Sequence, residues 1–302
     1  MGKPLAGIHV ALLSGFDEAG RFDAGRQAAL TLSALSQRVD GLYVGGSTGE
    51  SASMTPDELA AQQEVVATAA AGSGKLLIAH VGVPALHETL RLARNAKALG
   101  YHGLSALPPH AFGFRPADIH DYYRALAEAT DLPLIVYEIP SRTGRPTPLP
   151  EMEALLSLPH VVGLKFTTPD LYALSRIQVR KPAITYFFGV DEMFAAGAAL
   201  GSDGGIGSTY NIAGGLYSDI ADAVARSDLE AMRRLQRISQ DLVERVIAVG
   251  VIPGVKHLLT LAGIDAGPAR PPLRLAEGPA LAALESWFAE GHLDPWLPQR
   301  PA

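Results

Sequence analysis

The chain has 302 residues, of which 48% are hydrophobic and 19% are charged, so it is globular and large enough for one large domain or two modest ones. A formal net charge of −6, without a basic stripe, argues against a nucleic-acid partner. The chain contains no cysteine, which excludes disulfides and thiolate metal sites and fits a reducing cytoplasm.

The apolar runs of the chain are too short to serve as membrane or export signals. The first run, at residues 8–13, is soon followed by polar residues, unlike a signal peptide. No run approaches the roughly 20 residues that a membrane-spanning helix needs. We therefore expect a soluble cytoplasmic protein with no membrane partner.

Short apolar runs rich in Val, Ile, Leu and Tyr recur along the first two thirds of the chain. Each run is continuous and does not alternate with polar residues, which is typical of strands buried on both faces. The runs begin near Ile8, Gly41, Leu76, Gly103, Pro133, Val161, Ile184 and Gly204.

Segments with helical periodicity separate these runs. One begins at Pro56, where Thr55 and Glu58 have the spacing of a capping box. Others are predicted at residues 86–99, 116–129 and 192–200. Strands that alternate with helices indicate parallel βαβ units, and eight strands in about 210 residues predict a closed (β/α)8 TIM barrel. The glycine fingerprint of a dinucleotide-binding fold does not follow the first strand.

After Gly214 the pattern becomes purely helical. Ser227 or Asp228 is predicted to cap a long amphipathic helix, and shorter helices are predicted at residues 254–262 and from about 275 to 288. The Pro-rich stretch at 267–272 is expected to be a stiff extended linker. We therefore interpret residues 1–213 as the barrel and residues 214–302 as a C-terminal helical extension packed on it.

Lys165 lies in the apolar run at residues 161–166, where an ammonium group is unfavourable. Two interpretations fit this placement. The stem of the lysine packs on the core while its head reaches solvent, or the lysine is a desolvated nucleophile that forms Schiff bases with carbonyl compounds. A lysine in an apolar setting loses its proton more readily than one in water, which the second interpretation requires.

Polar and glycine-rich clusters follow the predicted strands, at the end of the barrel where catalytic groups collect. Each cluster alone also suits a turn or a packing role. Because a closed barrel directs these loops at one axis, their joint position favours a site. The residues concerned are Ser47 and Thr48 after strand two, Tyr137 on strand five, Thr167 after strand six, Gly189, Asp191 and Glu192 after strand seven, and Ser208 after strand eight. The histidines, His80 among them, show no metal-ligand spacing and are interpreted as structural.

Three motifs of the chain resemble those of the N-acetylneuraminate lyase and dihydrodipicolinate synthase superfamily, which are class I pyruvate-dependent aldolases. They are GSTGE at residues 46–50, YEIP at 137–140 and GLK at 163–165. The resemblance extends from about residue 8 to residue 275.

Within that superfamily, the chain is more similar to the lyase branch. Residues 40–50, 163–167 and 203–211 look like that branch. The synthase branch commonly has Glu directly after the lysine, where this chain has Phe166.

The resemblance implies Schiff-base chemistry that needs neither a metal nor an organic cofactor. Lys165 would attack the C2 ketone of a 2-oxo acid, and the iminium would act as an electron sink for cleavage of the C3–C4 bond. Ser47 and Thr48 would hold the pyruvyl carboxylate, while Tyr137 would transfer a proton at the C4 hydroxyl. The residues that would orient a hydroxylated tail are Thr167, Gly189, Asp191, Glu192 and Ser208. A homotetramer is also implied.

Two departures from the family pattern leave the substrate open. Where the family usually has an aromatic pair with one tyrosine reaching into the neighbouring subunit's site, residues 107–112 read LPPHAF. His110 therefore either takes over a proton relay or lies at the surface. In SRTG at residues 141–144, Arg142 looks like the synthase arginine that grips the carboxylate of an incoming aldehyde acid, and the alternative is a solvent-exposed loop residue.

The sequence thus predicts an aldolase that reversibly cleaves a 2-oxo sugar acid, with N-acetylneuraminate giving pyruvate and N-acetylmannosamine as the leading reaction. The enzymatic alternatives are condensation of pyruvate with an aldehyde acid, as in dihydrodipicolinate synthase, and an aldolase or dehydratase acting on another 2-keto-3-deoxy sugar acid. A silent barrel that only binds a sugar acid is the non-enzymatic alternative.

Overall fold

The computed structural model describes residues 3–300, which form a closed barrel of parallel strands surrounded by helices. Each strand pairs with the next along the chain, and the first also pairs with the last, which closes the ring. The strands are β1 Gly7–Ala11, β2 Gly41–Val44, β3 Leu76–His80, β4 Gly103–Ala106, β5 Leu134–Glu138, β6 Val161–Phe166, β7 Thr185–Phe188 and β8 Gly204–Gly207. The predicted (β/α)8 barrel is confirmed, and each predicted strand start lies within one residue of the observed start.

The helices follow the strands and continue into the C-terminal extension. They are α1 Ala24–Leu35, α2 Pro56–Ala69, α3 Leu86–Ala98, α4 Pro116–Ala129, α5 Pro140–Thr143, α6 Leu149–Leu155, α7 Leu171–Arg180, α8 Phe194–Ala199, α9 Tyr210–Ala225, α10 Leu229–Val249, α11 Val251–Leu261 and α12 Pro279–Ala289. Short 3-10 turns occur at Ser51–Ser53, Asp191–Met193 and Asp294–Trp296. Within residues 3–300, none of the helices combines the length and the apolar character that a membrane crossing requires.

Local sequence signals explain where several helices begin. The Thr55 side chain accepts a hydrogen bond from the Glu58 backbone N–H, and the Glu58 carboxylate accepts one from the Thr55 N–H, so the predicted capping box starts α2. Asp228 caps α10 through the Ala231 N–H at 3.0 Å. The last helix begins at Pro279, later than predicted, because Gly278 has a left-handed φ of +83° that a helix does not continue through.

The barrel interior is filled by side chains and does not form an open pore. Its inner layer consists of Ala11, Tyr43, Ile78, Ile135, Phe187 and Ile206. A larger apolar core lies between the strands and the surrounding helices. A ligand can therefore approach the inward-facing side chains only from an end of the barrel.

The C-terminal extension packs on one side of the barrel. Helix α9 lies against β1 and β8, and α10 packs on α8, α9 and α12. The predicted division after residue 213 falls inside α9, at a position where Ala213 leaves helical geometry with φ −147° and ψ 47°. That division stays a prediction, and the kinked helix α9, which packs on β1 and β8, crosses it.

Closure of the barrel depends on two glycines that face each other at the β1–β8 junction. Gly7 pairs with Gly204, and a Cβ at Gly204 would lie 1.9 Å from the Gly7 carbonyl oxygen. We expect Gly204→Ala to lower the free energy of unfolding by about 3 kcal/mol or more, because backbone atoms must move to admit the methyl group. Urea unfolding followed by circular dichroism measures this change.

The matched control is Gly113→Ala, where a Cβ would meet no atom within 4 Å. We expect this control to change the free energy of unfolding by less than about 0.5 kcal/mol. Equal stabilities for the two variants would contradict the account of the barrel junction.

Candidate active site

A cavity of about 350 Å³ opens at the C-terminal ends of the strands. The barrel contributes a set of polar and apolar residues to its lining: Ser47, Thr48, Tyr137, Ile139, Arg142, Lys165, Thr167, Gly189, Ile206 and Ser208. The extension contributes Gly250, Val251, Ile252, Pro253, Leu273 and Arg274. The cavity is therefore enclosed by both parts of the chain, and it brings together most of the site residues predicted from the sequence.

Lys165 lies at the floor of this cavity and is only 4% exposed. Its Nζ lies 4.3 Å from the ring centroid of Tyr43 and 4.1 Å from that of Tyr137. The lysines that form ion pairs in the described part of the chain are Lys3, Lys97 and Lys256, and Lys165 is not among them. The amine is thus held between two aromatic faces and lacks a paired carboxylate in the described part of the chain.

The strand register accounts for the contact between the lysine and the tyrosine. Lys165 on β6 is directly paired with Tyr137 on β5 and with Phe187 on β7. Paired residues of neighbouring strands point to the same face of a sheet, so the three side chains converge at the barrel axis. Tyr137 also packs with Leu107 and Ile139, which leaves the tyrosine 3% exposed.

His80 is a neutral histidine beside these aromatic residues. Its Nδ1 lies 3.0 Å from the Gly45 carbonyl oxygen, and its Nε2 accepts the Leu107 N–H at 3.1 Å. Burial, together with the charge of Lys165, lowers the pKa of His80 to about 3. Its ring meets that of Tyr137 edge-on at 6.1 Å. The sequence assigned His80 a structural role, and both of its nitrogens are indeed occupied by backbone groups.

The loop after β2 carries the two predicted hydroxyl residues into the cavity. Gly45 adopts a left-handed φ of +74°, and a Cβ at Gly46 would lie 2.6 Å from the Tyr43 ring, so the turn requires both glycines. Thr48 Oγ1 lies 2.7 Å from Ser208 Oγ, which joins this loop to the one after β8. Ser47 lines the same cavity. Hydroxyl groups and turn N–H groups of this kind are suited to hold a carboxylate.

Thr167 faces the cavity with an unused hydroxyl group. Its Oγ1 is buried and has no hydrogen-bond partner within residues 3–300. A Cβ at Gly189 would lie only 2.1 Å from this oxygen and 3.5 Å from Lys165 Cε. Glycine at position 189 therefore leaves space next to the lysine for a ligand, and the Thr167 hydroxyl is available to bind it.

The Asp191–Glu192 pair lies beside the cavity and does not line it. The Asp191 carboxylate accepts hydrogen bonds from the Thr209 N–H at 3.0 Å and from the Thr209 hydroxyl at 2.7 Å. Burial raises the pKa of Asp191 to about 6, although the Thr209 hydrogen bonds oppose that shift. Its Oδ1 approaches Gly207 on β8, while Glu192 is half-buried.

Arg142 lines the cavity, whereas His110 does not. Arg142 lies in α5, the short helix directly after β5, and is exposed. His110 is also exposed, with Nδ1 3.1 Å from the Pro108 carbonyl oxygen. It lines a separate cavity of about 260 Å³ together with Phe112 and Phe114. Of the two residues that depart from the family pattern, Arg142 therefore lines the same cavity as Lys165, and His110 does not.

The sequence interpretation missed two features of the site. Tyr43 belongs to a quoted motif, but its contact with Lys165 depends on the inward phase of β2, which the motif does not reveal. The cavity wall at residues 250–253 and 273–274 comes from the extension. Its only sequence signal is the break at Gly250, and this glycine does not indicate which side of the barrel the following helix covers.

A larger cavity of about 490 Å³ lies at the opposite end of the barrel, next to Gly7, Asp40 and Gly204. Its lysine, Lys75, donates a hydrogen bond to the Val39 carbonyl oxygen at 2.6 Å. Among the described residues, no group of three or more His, Cys, Asp or Glu side chains could hold a metal ion. The convergence of reactive side chains, and not cavity volume, therefore identifies the candidate site.

Comparison with known proteins agrees with this site. The profile of the Dihydrodipicolinate synthetase family matches residues 4–287. An N-acetylneuraminate lyase from Rhizobium meliloti (strain 1021) is 43% identical over 286 residues, which cover 94% of this chain and 95% of that protein.

Two solved structures are similar over nearly the whole chain. The N-acetylneuraminate lyase from Fusobacterium nucleatum complexed with pyruvate has a TM-score of 0.88 and 33% identity, covering 95% of this chain and 97% of that one. CdNal from Clostridium difficile in complex with mannosamine has a TM-score of 0.91 and 31% identity, covering 95% and 99%.

The buried histidines predict how stability depends on pH. Burial lowers the pKa of His9 to about 4, as burial and Lys165 do for His80, whose pKa is about 3. The unfolded chain binds these protons near pH 6.5, so as the pH falls from 6.5 towards 4 each histidine lowers the free energy of unfolding by about 1.4 kcal/mol per pH unit. Asp191, with its raised pKa of about 6, acts in the opposite direction as the pH falls below 6.

Urea unfolding at pH 6.5, 5.5 and 4.5 tests the contribution of His80. As the pH falls, we expect the free energy of unfolding of His80→Gln to decrease by about 1.4 kcal/mol less per pH unit than that of the unmodified protein. The control is His87→Gln, because the His87 side chain is 82% exposed. An unchanged slope in His80→Gln would show that its proton affinity is not suppressed in the folded state.

Proposed function

The chain belongs to the dihydrodipicolinate synthetase family, and we propose that it is an N-acetylneuraminate lyase, an aldolase that reversibly cleaves this 2-oxo sugar acid to pyruvate and N-acetylmannosamine. The observation that carries the proposal is Lys165, a desolvated amine between two tyrosine rings at the floor of an open cavity. The similarity to N-acetylneuraminate lyases along the chain supports the choice of substrate.

The reaction begins with attack of the neutral Lys165 amine on the C2 ketone. Loss of water gives an iminium, whose positive nitrogen accepts the electron pair of the C3–C4 bond as that bond breaks. The C4 hydroxyl loses its proton, so that carbon leaves as the aldehyde. The remaining enamine takes up a proton at C3, and hydrolysis of the iminium releases pyruvate and restores the amine. No metal or organic cofactor enters these steps.

Tyr137 is the proposed proton carrier at the C4 hydroxyl, because it is paired with Lys165 across β5 and β6 and lines the cavity. Ser47 and Thr48 are proposed to hold the pyruvyl carboxylate through hydroxyl and backbone N–H groups. The Thr48–Ser208 contact of 2.7 Å supports this assignment, since it fixes the Thr48 hydroxyl at the cavity wall.

The remaining predicted residues are proposed to orient the hydroxylated tail of the substrate. The free hydroxyl of Thr167 and the space at Gly189 lie next to the lysine. Asp191 and Glu192 do not line the cavity, so their proposed role, in which a carboxylate accepts bonds from a polyol, requires that the substrate tail extend beyond the lining. Ser208 lies opposite, within reach of Thr48.

Condensation of pyruvate with an aldehyde acid is the second candidate function. The observation that favours it is Arg142, whose position in the cavity lining suits a bidentate grip on a second carboxylate. This candidate shares the Lys165 iminium with the first and differs only in the partner of the enamine.

We expect incubation with pyruvate and borohydride to add a stable mass to the peptide that contains Lys165. Borohydride reduces the iminium to a secondary amine that no longer hydrolyses. Lys165→Met should abolish the mass gain and lower cleavage activity by on the order of 10³-fold or more. Lys97→Met should retain both, because Lys97 pairs with Asp131 on the surface. A protein that gains no mass would refute the Schiff-base mechanism.

We expect pyruvate release from N-acetylneuraminate to exceed that from 2-keto-3-deoxygluconate, and condensation with aspartate semialdehyde to be weaker. Glu192→Ala should then raise KM for N-acetylneuraminate by about tenfold, the value of one lost charged hydrogen bond. Pyruvate trapping on Lys165 should be unchanged in this variant. If only the condensation proceeds and Glu192→Ala is neutral while Arg142→Met is impaired, the second candidate is correct.

The cytoplasmic location and the homotetramer stay predictions that follow from composition and from the family resemblance. The proton relay through His110 also stays a prediction, because a relay into a neighbouring subunit's site requires the tetramer. Light scattering of the purified protein measures the mass in solution, and a monomer that is fully active would remove the proposed role of His110.

A further inference from the structure

A second buried lysine lies outside the cavity, in a cluster of charges that the proposed reaction does not use. Lys256 on α11 and Glu50 at the end of the β2 loop have side chains that are 2% and 0% exposed. Lys256 Nζ lies 3.1 Å from Glu50 Oε1, so the two groups form a buried ion pair. Buried charges of this kind are stable only when they are paired.

Arg270 completes the cluster from the extended linker. Its backbone N–H donates to Glu50 Oε2 at 2.7 Å, and Lys256 Nζ donates to the Pro268 carbonyl oxygen at 2.7 Å. The Lys256 ammonium and the Arg270 guanidinium both lie over the Phe16 ring, at 4.8 and 4.1 Å from its centroid. We name Glu50, Lys256 and Arg270 the charged latch.

Each member of the charged latch is a short distance along the chain from a cavity wall. Glu50 follows Thr48 by two residues, Lys256 lies one helical turn after the wall at 250–253, and Arg270 precedes the wall at 273–274. The charged latch therefore joins three separate wall segments behind the surface that faces the ligand.

The backbone of Glu50 indicates that this contact is maintained against local preference. Glu50 is a non-glycine residue in left-handed geometry, with φ 56° and ψ 30°. Such a conformation is unfavourable for a residue with a side chain and persists where surrounding contacts hold it. The carboxylate contacts to Lys256 and Arg270 hold it together with two backbone hydrogen bonds, from the Glu50 N–H to the Ser47 carbonyl oxygen at 3.1 Å and from the Ser53 N–H to the Glu50 carbonyl oxygen at 2.8 Å.

We propose that Glu50 is a positioning residue, which acts with Lys256 and Arg270 to fix the carboxylate-binding loop at Ser47 and Thr48 relative to the cavity wall supplied by the extension. Glu50 does not touch the substrate. It sets the distance between the groups that hold the pyruvyl end and the wall that faces the rest of the substrate. This inference deepens the proposed lyase function and depends on it for its kinetic readout only.

The first test is hydrogen exchange measured by mass spectrometry on the full chain without substrate. We expect Glu50→Gln to accelerate exchange in residues 45–54 and in residues 250–274 together, because the loss of one charge releases both sides of the contact. The matched control is Glu58→Gln, which breaks the outer ion pair of Arg270 at 2.6 Å and leaves the Glu50–Lys256 pair in place. Equal exchange in Glu50→Gln and the unmodified protein would overturn the proposal.

The second test is kinetic. We expect Glu50→Gln to raise KM for N-acetylneuraminate by about tenfold, a loss consistent with a small misplacement of binding groups, while pyruvate is still trapped on Lys165. Lys256→Met should raise KM in the same direction, and the Glu50→Gln, Lys256→Met double variant should recover part of the loss because no buried charge is left unpaired. The KM of Glu58→Gln for N-acetylneuraminate should remain within twofold of that of the unmodified protein.

If Glu50→Gln does not fold, hydrogen exchange and KM are measured on Lys256→Met and on the double variant instead. A lower melting temperature with KM and exchange unchanged would show that the cluster is only structural, and the proposal would be wrong. Failure of the unmodified protein to cleave any sugar acid or to trap pyruvate would instead refute the proposed function, and the exchange test of the charged latch would still decide the inference.

Discussion

Closure of the strand ring between β1 and β8 is the constraint on which the rest of the structure depends. The parallel pairing of Gly7 with Gly204 brings two backbones together at a place where no side chain fits. Once the ring is closed, every strand ends on the same rim, and the polar residues that follow β2, β5, β6, β7 and β8 share one axis. The active site is a consequence of this geometry, because its residues are far apart along the chain and none of the clusters forms a site alone.

The electrostatic character of the site follows from what fills the barrel below it. Aromatic and aliphatic side chains occupy the interior, so Lys165 is surrounded by ring faces and lacks a paired carboxylate. The same low-polarity interior keeps His80 neutral and raises the proton affinity of Asp191. The barrel core thus serves stability and chemistry together: the packing that stabilises the fold also places the amine between two ring faces at the floor of the cavity.

The C-terminal extension is part of the site. It supplies the wall at residues 250–253 and 273–274, and the charged latch places it against the loop that carries Ser47 and Thr48. Substrate selectivity in this chain is therefore expected to depend on contacts between the barrel and the extension as well as on the strand ends. Arg142, in the short helix α5 after β5, lines the same cavity, so this segment is also expected to affect selectivity.

The sequence by itself determined the barrel and the starts of α2, α3, α4 and α10, and it singled out Lys165 as the candidate nucleophile, because strand burial, capping and short motifs are local properties of the chain. The capping box at Thr55 and the strand starts are examples. Only the tertiary structure decided that Tyr43 contacts Lys165, that His110 lies outside the cavity of its own chain, and that Glu50 meets Lys256. These facts depend on strand phase and on how α11 packs, and packing between segments some 200 residues apart leaves no periodic signal in the sequence.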